Sequence, residues 1–221
     1  MKPANQYTYI LITLLASVSF SAQATISNFS ACSGAIACNI TATPPNPIVA
    51  NPNNGILLAW NEVQNLTLTD KLYVDRVFDE TASMVGSDSN GLYLKAGTVV
   101  SSHYFQWDPG SNSSSTVSAT VVTDSPIFAF ITGDQHLFDS DAQLGLSGLD
   151  YADFNLRGLE SGDTTIFNGS SVNITWTASS PGDWTRMVTA FSPAAVPVPT
   201  AVWLFASGLL GLVGLGKRKN T

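Results

Sequence analysis

The sequence predicts an all-β fold, an antiparallel β-sandwich of jelly-roll-like kind, carried between two apolar ends. Three observations predict it. Short runs rich in Val, Ile, Thr and aromatic residues recur between clusters of Gly, Pro, Asn, Asp and Ser. Several runs alternate with a period of two: Val172, Ile174, Trp176 and Ala178 fall on every second position, as do Val117, Ala119 and Val121. That pattern marks strands with one buried and one solvated face. Between the two ends no segment sustains helical periodicity for three turns, and no internal repeat marks a solenoid or propeller.

Taken in order, residues 1–24 read as a secretory signal peptide. Lys2 supplies a positive start, Tyr9 to Phe20 is the apolar centre, and Ala22-Gln23-Ala24 fits the small-x-small cleavage rule. Residues 25–54 form an N-terminal segment containing Cys32 and Cys38, the only two cysteines, with Gly34 between them. In an oxidising compartment the two are expected to pair as a disulfide. A zinc site would need further His or Cys ligands nearby, and a redox centre would need Cys-x-x-Cys spacing. Residues 41–54 hold four prolines and four asparagines and read as a loop. The sandwich is expected over residues 55–192, with strands at 55–60, 64–69, 71–74, 92–94, 98–107, 115–123, 127–132, 164–167, 171–178 and 185–191. A turn of helix is expected only at 139–146 and 151–155.

Residues 193–199 are a linker ending in Val196-Pro197-Val198-Pro199, whose prolines stop any element arriving from upstream. The uncharged apolar run 200–216 follows; as a helix it would span roughly 25 Å, enough for a single short transmembrane crossing. Lys217, Arg218 and Lys219, in the basic tail 217–221, are expected to stay cytoplasmic, which places the residues before the span on the far side. The punctuation, the apolar run and the basic end together resemble the C-terminal sorting signal of PEP-CTERM proteins, most of all the variant with Val-Pro-Leu-Pro-Ala. Here Val196 to Thr200 stand in that place. The resemblance implies export through the translocon, transient anchoring in the inner membrane of a Gram-negative envelope, and processing by an exosortase for release or attachment at the cell surface. More loosely, Trp60 and Glu62, Ser125-Pro126, Arg157 to Glu160, and Ser180 to Asp183 resemble exported domains that often carry this tail. Those imply a β-sandwich without a known activity.

All 16 carboxylates lie between Glu62 and Asp183, against Lys71, Arg76, Lys95, Arg157 and Arg186, so the exported part carries a net charge of −11. Such a domain repels nucleic acid and anionic lipid. The sequence has no Gly-x-Ser-x-Gly, which Gly145-Leu146-Ser147-Gly148 only approaches, and no phosphate-cradling loop, zinc spacing or dinucleotide fingerprint. His103 and His136 read as strand or surface histidines, and no enzyme activity is expected.

Two features point to binding. The acidic stretch from Asp134 to Asp163 contains Asp139-Ser140-Asp141, two carboxylates two residues apart that could serve calcium, although a full calcium loop is missing. Solvated turn carboxylates explain the stretch equally well. Of the exported tryptophans, Trp184 follows Pro181-Gly182-Asp183 in a loop and is the candidate for an exposed ring that stacks on sugar, against the alternative of core filling. The expected function is that of a non-enzymatic surface or extracellular-matrix protein in exopolysaccharide or biofilm. The alternative is a carbohydrate-binding module, calcium-assisted, built on Trp184 and the 139–163 region.

Overall fold

Three stacked layers, rather than the two of the expected sandwich, make up the computed structural model, which describes residues 25–48, 54–109, 114–151, 157–179 and 182–191. The expected signal peptide at 1–24 and the expected linker, span and basic tail at 193–221 lie outside the described residues. The chain runs β1 (Ile26–Ser33), β2 (Ala37–Ile40), β3 (Ile56–Asn61), β4 (Leu66–Thr67), β5 (Leu72–Val74), β6 (Arg76–Val77), β7 (Val85–Asp88), β8 (Gly91–Leu94), β9 (Val99–Trp107), β10 (Ser115–Thr123), β11 (Ile127–Ile131), α1 (Asp134–Leu144), β12 (Thr164–Asn168), β13 (Ser171–Ala178) and β14 (Asp183–Ala190). A four-stranded sheet has the order β1-β10-β13-β12. The central sheet is β2-β3-β9-β14-β11-β6, with β4 also on β9, and a small outer sheet is β5-β8-β7. Pairing is antiparallel except between β2 and β3.

Side-chain alternation builds the first core. Val117, Val121, Ile174 and Trp176 of the four-stranded sheet meet Leu57, Phe105, Trp107, Phe130 and Met187 of the central sheet. The opposite face of the central sheet forms a second core: Trp60, Tyr104, Ile131, Trp184 and Val188 pack with Leu72, Val74 and Leu94 of the outer sheet and with Leu137 and Leu144 of α1. Strands β9 and β14 are thus covered on both sides, and eight of nine and seven of eight of their residues are buried. Neither strand has a solvated face, so a polar side chain on it can be satisfied only by groups inside the protein.

The N-terminal segment is not separate from the sandwich, although the sequence places the first strand at residue 55. Strand β1 pairs with β10 and β2 pairs with β3, so residues 26–40 supply an edge to each of the two larger sheets. The expected disulfide forms between Cys32 on β1 and Cys38 on β2, with their Cα atoms 6.1 Å apart, and links those two edges. Gly34 makes the crossing feasible: its φ is +80°, and a Cβ there would lie 1.9 Å from the carbonyl oxygen of Thr116.

Helix α1 corrects the expectation of a single turn at 139–146. It runs for 11 residues and buries Leu137, Ser140 and Leu144. A serine inside so narrow a stripe hides the helical period from the sequence. Its start is held from outside, because the Asp75 carboxylate accepts the backbone N–H groups of Thr132 at 2.5 Å and Gly133 at 2.7 Å. Among the described residues no helix is long and apolar enough to cross a membrane.

Candidate functional site

Three places on the domain concentrate polar chemistry. The first is the outer face of the four-stranded sheet, where period-two alternation turns Thr116, Ser118 and Thr120 of β10 and Asn173, Thr175 and Thr177 of β13 away from the core. The register sets these residues opposite one another and their side chains join in rungs: Thr116 to Thr177 at 2.7 Å, Ser118 to Thr175 at 3.2 Å, and Thr120 to Asn173 at 2.8 Å. On β12, Thr164, Ile166 and Asn168 extend the same face. None of the four strands contains an Asp, Glu, Lys or Arg. On a domain with 16 acids this is a neutral surface of hydroxyl and amide groups, each hydroxyl able to donate and accept.

The second lies buried between the central sheet and α1. Arg186, fully enclosed on β14, donates to Glu62 through Nε at 2.6 Å and Nη2 at 2.8 Å, to Ser140 Oγ at 2.5 Å and to Asp141 at 3.1 Å. Arg157 donates to both oxygens of Asp141, at 2.7 and 3.0 Å, and to the Tyr104 hydroxyl at 2.7 Å. Ser102 and Tyr151 donate their hydroxyl protons to Glu62. The Tyr104 and Tyr151 rings lie against both guanidinium groups at 5.0 to 5.9 Å. Burial works against the charge on each arginine, but the neighbouring carboxylates outweigh it and both pKa values end above the usual arginine range. Burial pushes the Tyr104 hydroxyl up to about 12 and that of Tyr151 up as well. Two cations and two anions balance here, and their bonds run inward to one another. The cluster braces sheet to helix and presents no activated nucleophile.

The third is acidic. Glu160, Asp163 and Asp183 each bring a carboxylate oxygen within 4.8 Å of the other two. Asp163 is oriented by the backbone N–H groups of Glu160 at 2.9 Å and Thr177 at 2.7 Å. Asp183 opens β14 and is 1 % exposed; neither of its carboxylate oxygens receives an N–H or hydroxyl donor, and its carboxyl lies within hydrogen-bond reach of the Glu160 carboxyl. Burial first, then the charge of Glu160 and a hydrogen bond with its carboxyl, and then the charges of Asp163 and Asp108, push its carboxyl up to about 9. Among the described residues none of the three forms an ion pair.

The structure places the sequence-expected residues as follows. Trp184 is buried in the second core, as are Trp60 there and Trp107 and Trp176 in the first, which corrects the expectation of an exposed sugar-stacking ring. Flanked by β9 and β11, β14 begins two residues before the expected start, at Asp183, so Trp184 is a strand residue, not a loop residue. Asp139 and Asp141 are not a cation loop either: both lie on α1, Asp141 is taken by the two arginines, and Asp139 accepts from Gln135 at 2.7 Å. Of the acidic stretch, Glu160 and Asp163 do converge, but on Asp183, twenty residues further along the chain; Asp153 lies outside the described residues. So do Val196, Pro197, Val198, Pro199, Lys217, Arg218 and Lys219. His103 is buried in β9 and His136 sits on α1, its Nδ1 2.7 Å from Asp75. The chain matches no protein-family model, and no curated protein or solved structure is significantly similar to it.

Proposed function

We propose that this is an exported, non-enzymatic component of a cell-surface polysaccharide matrix, sorted by an exosortase, with the hydroxyl face of the four-stranded sheet lying against polymer. The observation that carries the reading is that face: four strands free of charge on a domain of net charge −11. Sugar hydroxyls exchange hydrogen bonds with Thr, Ser and Asn in either direction, and a neutral surface does not repel an anionic polymer. Export is supported by the Cys32–Cys38 disulfide, which suits an oxidising compartment, and by the sorting-signal resemblance of residues 196–219. The engagement of Arg186, Glu62, Asp141 and Arg157 with one another favours a structural role over a catalytic one.

Two variants test the reading. Deleting residues 196–221 is expected to move the protein from the surface-associated fraction into the periplasm or medium. Replacing Thr120 and Thr175, both on the outer face, by glutamate is expected to leave the fold intact by near-ultraviolet circular dichroism and to abolish retention on matrix polysaccharide. Unchanged fractionation would remove the sorting half of the proposal, and unchanged retention would remove the hydroxyl face as the contact.

A further inference from the structure

We infer that Glu160, Asp163 and Asp183 form a binding site for a hard divalent cation, calcium foremost, which fastens the start of β14 to the 160–163 turn. The geometry supplies three convergent carboxylates, one oxygen of each within 4.8 Å of the others. The second, independent observation is Asp183 itself, which is 1 % exposed and receives no N–H or hydroxyl donor on either oxygen, facing only the other carboxyls of the cluster. A carboxyl withdrawn from water without a donor is costly as an anion, and proteins resolve it by keeping its proton, by pairing or by metal coordination, the last of which uses all three convergent groups at once. No arginine or lysine among the described residues pairs with these three. Arg76 approaches only the main-chain oxygen of Asp163, at 3.1 Å.

The ligand set selects the ion class. All donors are oxygens, with no His or Cys, which suits calcium or magnesium and disfavours zinc and copper. Calcium takes six to eight oxygens in flexible arrangements, so carboxylates from a turn and a strand can share it with water on the exposed Glu160 side. Asp163 is already aimed by two backbone N–H groups, and each of its oxygens keeps a lone pair for the ion. Gly182, at φ +99°, brings the chain so close to β9 that a Cβ would lie 2.5 Å from the Trp107 oxygen, and this fixes where the Asp183 side chain starts.

The site adjoins the proposed polysaccharide face through Thr177, whose N–H meets Asp163, but its test does not involve polymer. Full-length protein purified in detergent and freed of metal by chelator is titrated with Tb3+ and with Ca2+. Trp107 is the Cα partner of Asp183 in the β9–β14 pairing and serves as the sensitiser of Tb3+ emission. The expected result is saturable emission displaced by Ca2+, with Ca2+ at roughly 100 times its Kd raising the melting temperature by about 5–10 °C. Glu160→Gln changes only an exposed side chain and keeps the fold; it is expected to weaken Ca2+ binding by at least about tenfold. Asp183→Asn is expected to abolish the Ca2+ response. Two carboxyls holding one shared proton would give no Ca2+ or Tb3+ response in the unmodified protein, and that outcome overturns the proposal. So does Glu160→Gln binding Ca2+ as tightly as the parent.

Discussion

Arg186→Met is expected to destabilise the protein by about 3–5 kcal/mol, because it leaves a carboxylate buried without its cation. Glu62 has no exposed side-chain surface, and two of its hydrogen bonds come from Arg186. After the substitution Ser102 and Tyr151 still donate to it, but neither carries charge. Asp141 fares better because Arg157 remains on both of its oxygens. The loss is therefore concentrated on Glu62, and a second substitution, Glu62→Gln, is expected to restore about 1–3 kcal/mol relative to the sum of the two single changes. Arg186→Lys keeps the charge but cannot bond Glu62 through two nitrogens while also reaching Ser140 and Asp141, so it should fall between parent and methionine variant. Denaturant unfolding of the parent, the three single variants and the double variant reads all of this. A methionine variant within about 1 kcal/mol of the parent would show that the pair contributes little beyond its desolvation cost.

That cluster also marks where the sequence stops being legible. Strands of the four-stranded sheet announce themselves: Ser115–Thr123 and Ser171–Ala178 are found at the bounds the alternation predicts, since one face meets a core and the other meets water. Strand β14 does not. Asp-Trp-Thr-Arg-Met-Val-Thr-Ala has no wholly apolar face, yet Met187 lies in the first core and Trp184 and Val188 in the second, so both faces are covered and Arg186 is enclosed. A two-layer sandwich is the economical reading of period-two patterns. The third layer is built from strands of three and four residues and from a helix whose buried stripe includes a serine, pieces too short to show a period.

The acidic site was half visible for a related reason. Glu160 and Asp163 belong to a dense run of carboxylates in the sequence, whereas Asp183 stands alone and reaches them only because β14 inserts between β9 and β11. The likeness of Trp60-x-Glu62, Arg157 to Glu160, and Ser180 to Asp183 to exported domains was the signal available. Each of those segments contributes to the buried ionic cluster or to the acidic one, with Glu62 and Arg157 in the first and Glu160 and Asp183 in the second. Convergence of that kind is set by strand order, which spacing along a chain does not reveal.

The protein is expected to lose stability on acidification through His103, and the mechanism follows from one ring in the first core. Asn61 Oδ1 accepts the backbone N–H of Ile26 and also faces His103 Nδ1 at 2.8 Å, so Nδ1 carries the proton. Nε2 then accepts from the Thr189 hydroxyl at 3.1 Å, which leaves a neutral, fully satisfied imidazole. Protonating Nε2 would place a charge where solvent cannot reach and would break that bond. Burial accordingly holds the His103 pKa down at about 3, against a distant offset from Asp124. The unfolded chain takes up its proton near pH 6.5 while the folded protein does not, so the contribution is complete above about 6.5 and is lost as pH falls towards 3. At about 1.4 kcal/mol per pKa unit the ceiling is about 5 kcal/mol. Other groups titrate over the same range, so the quantity to measure is the difference between the parent and His103→Gln, which removes this group alone. Unfolding free energies of the two should converge steadily between pH 6.5 and pH 3 as the parent's advantage disappears. A constant difference across that range would mean that His103 enters the fold already charged, contrary to the hydrogen-bond pattern around it.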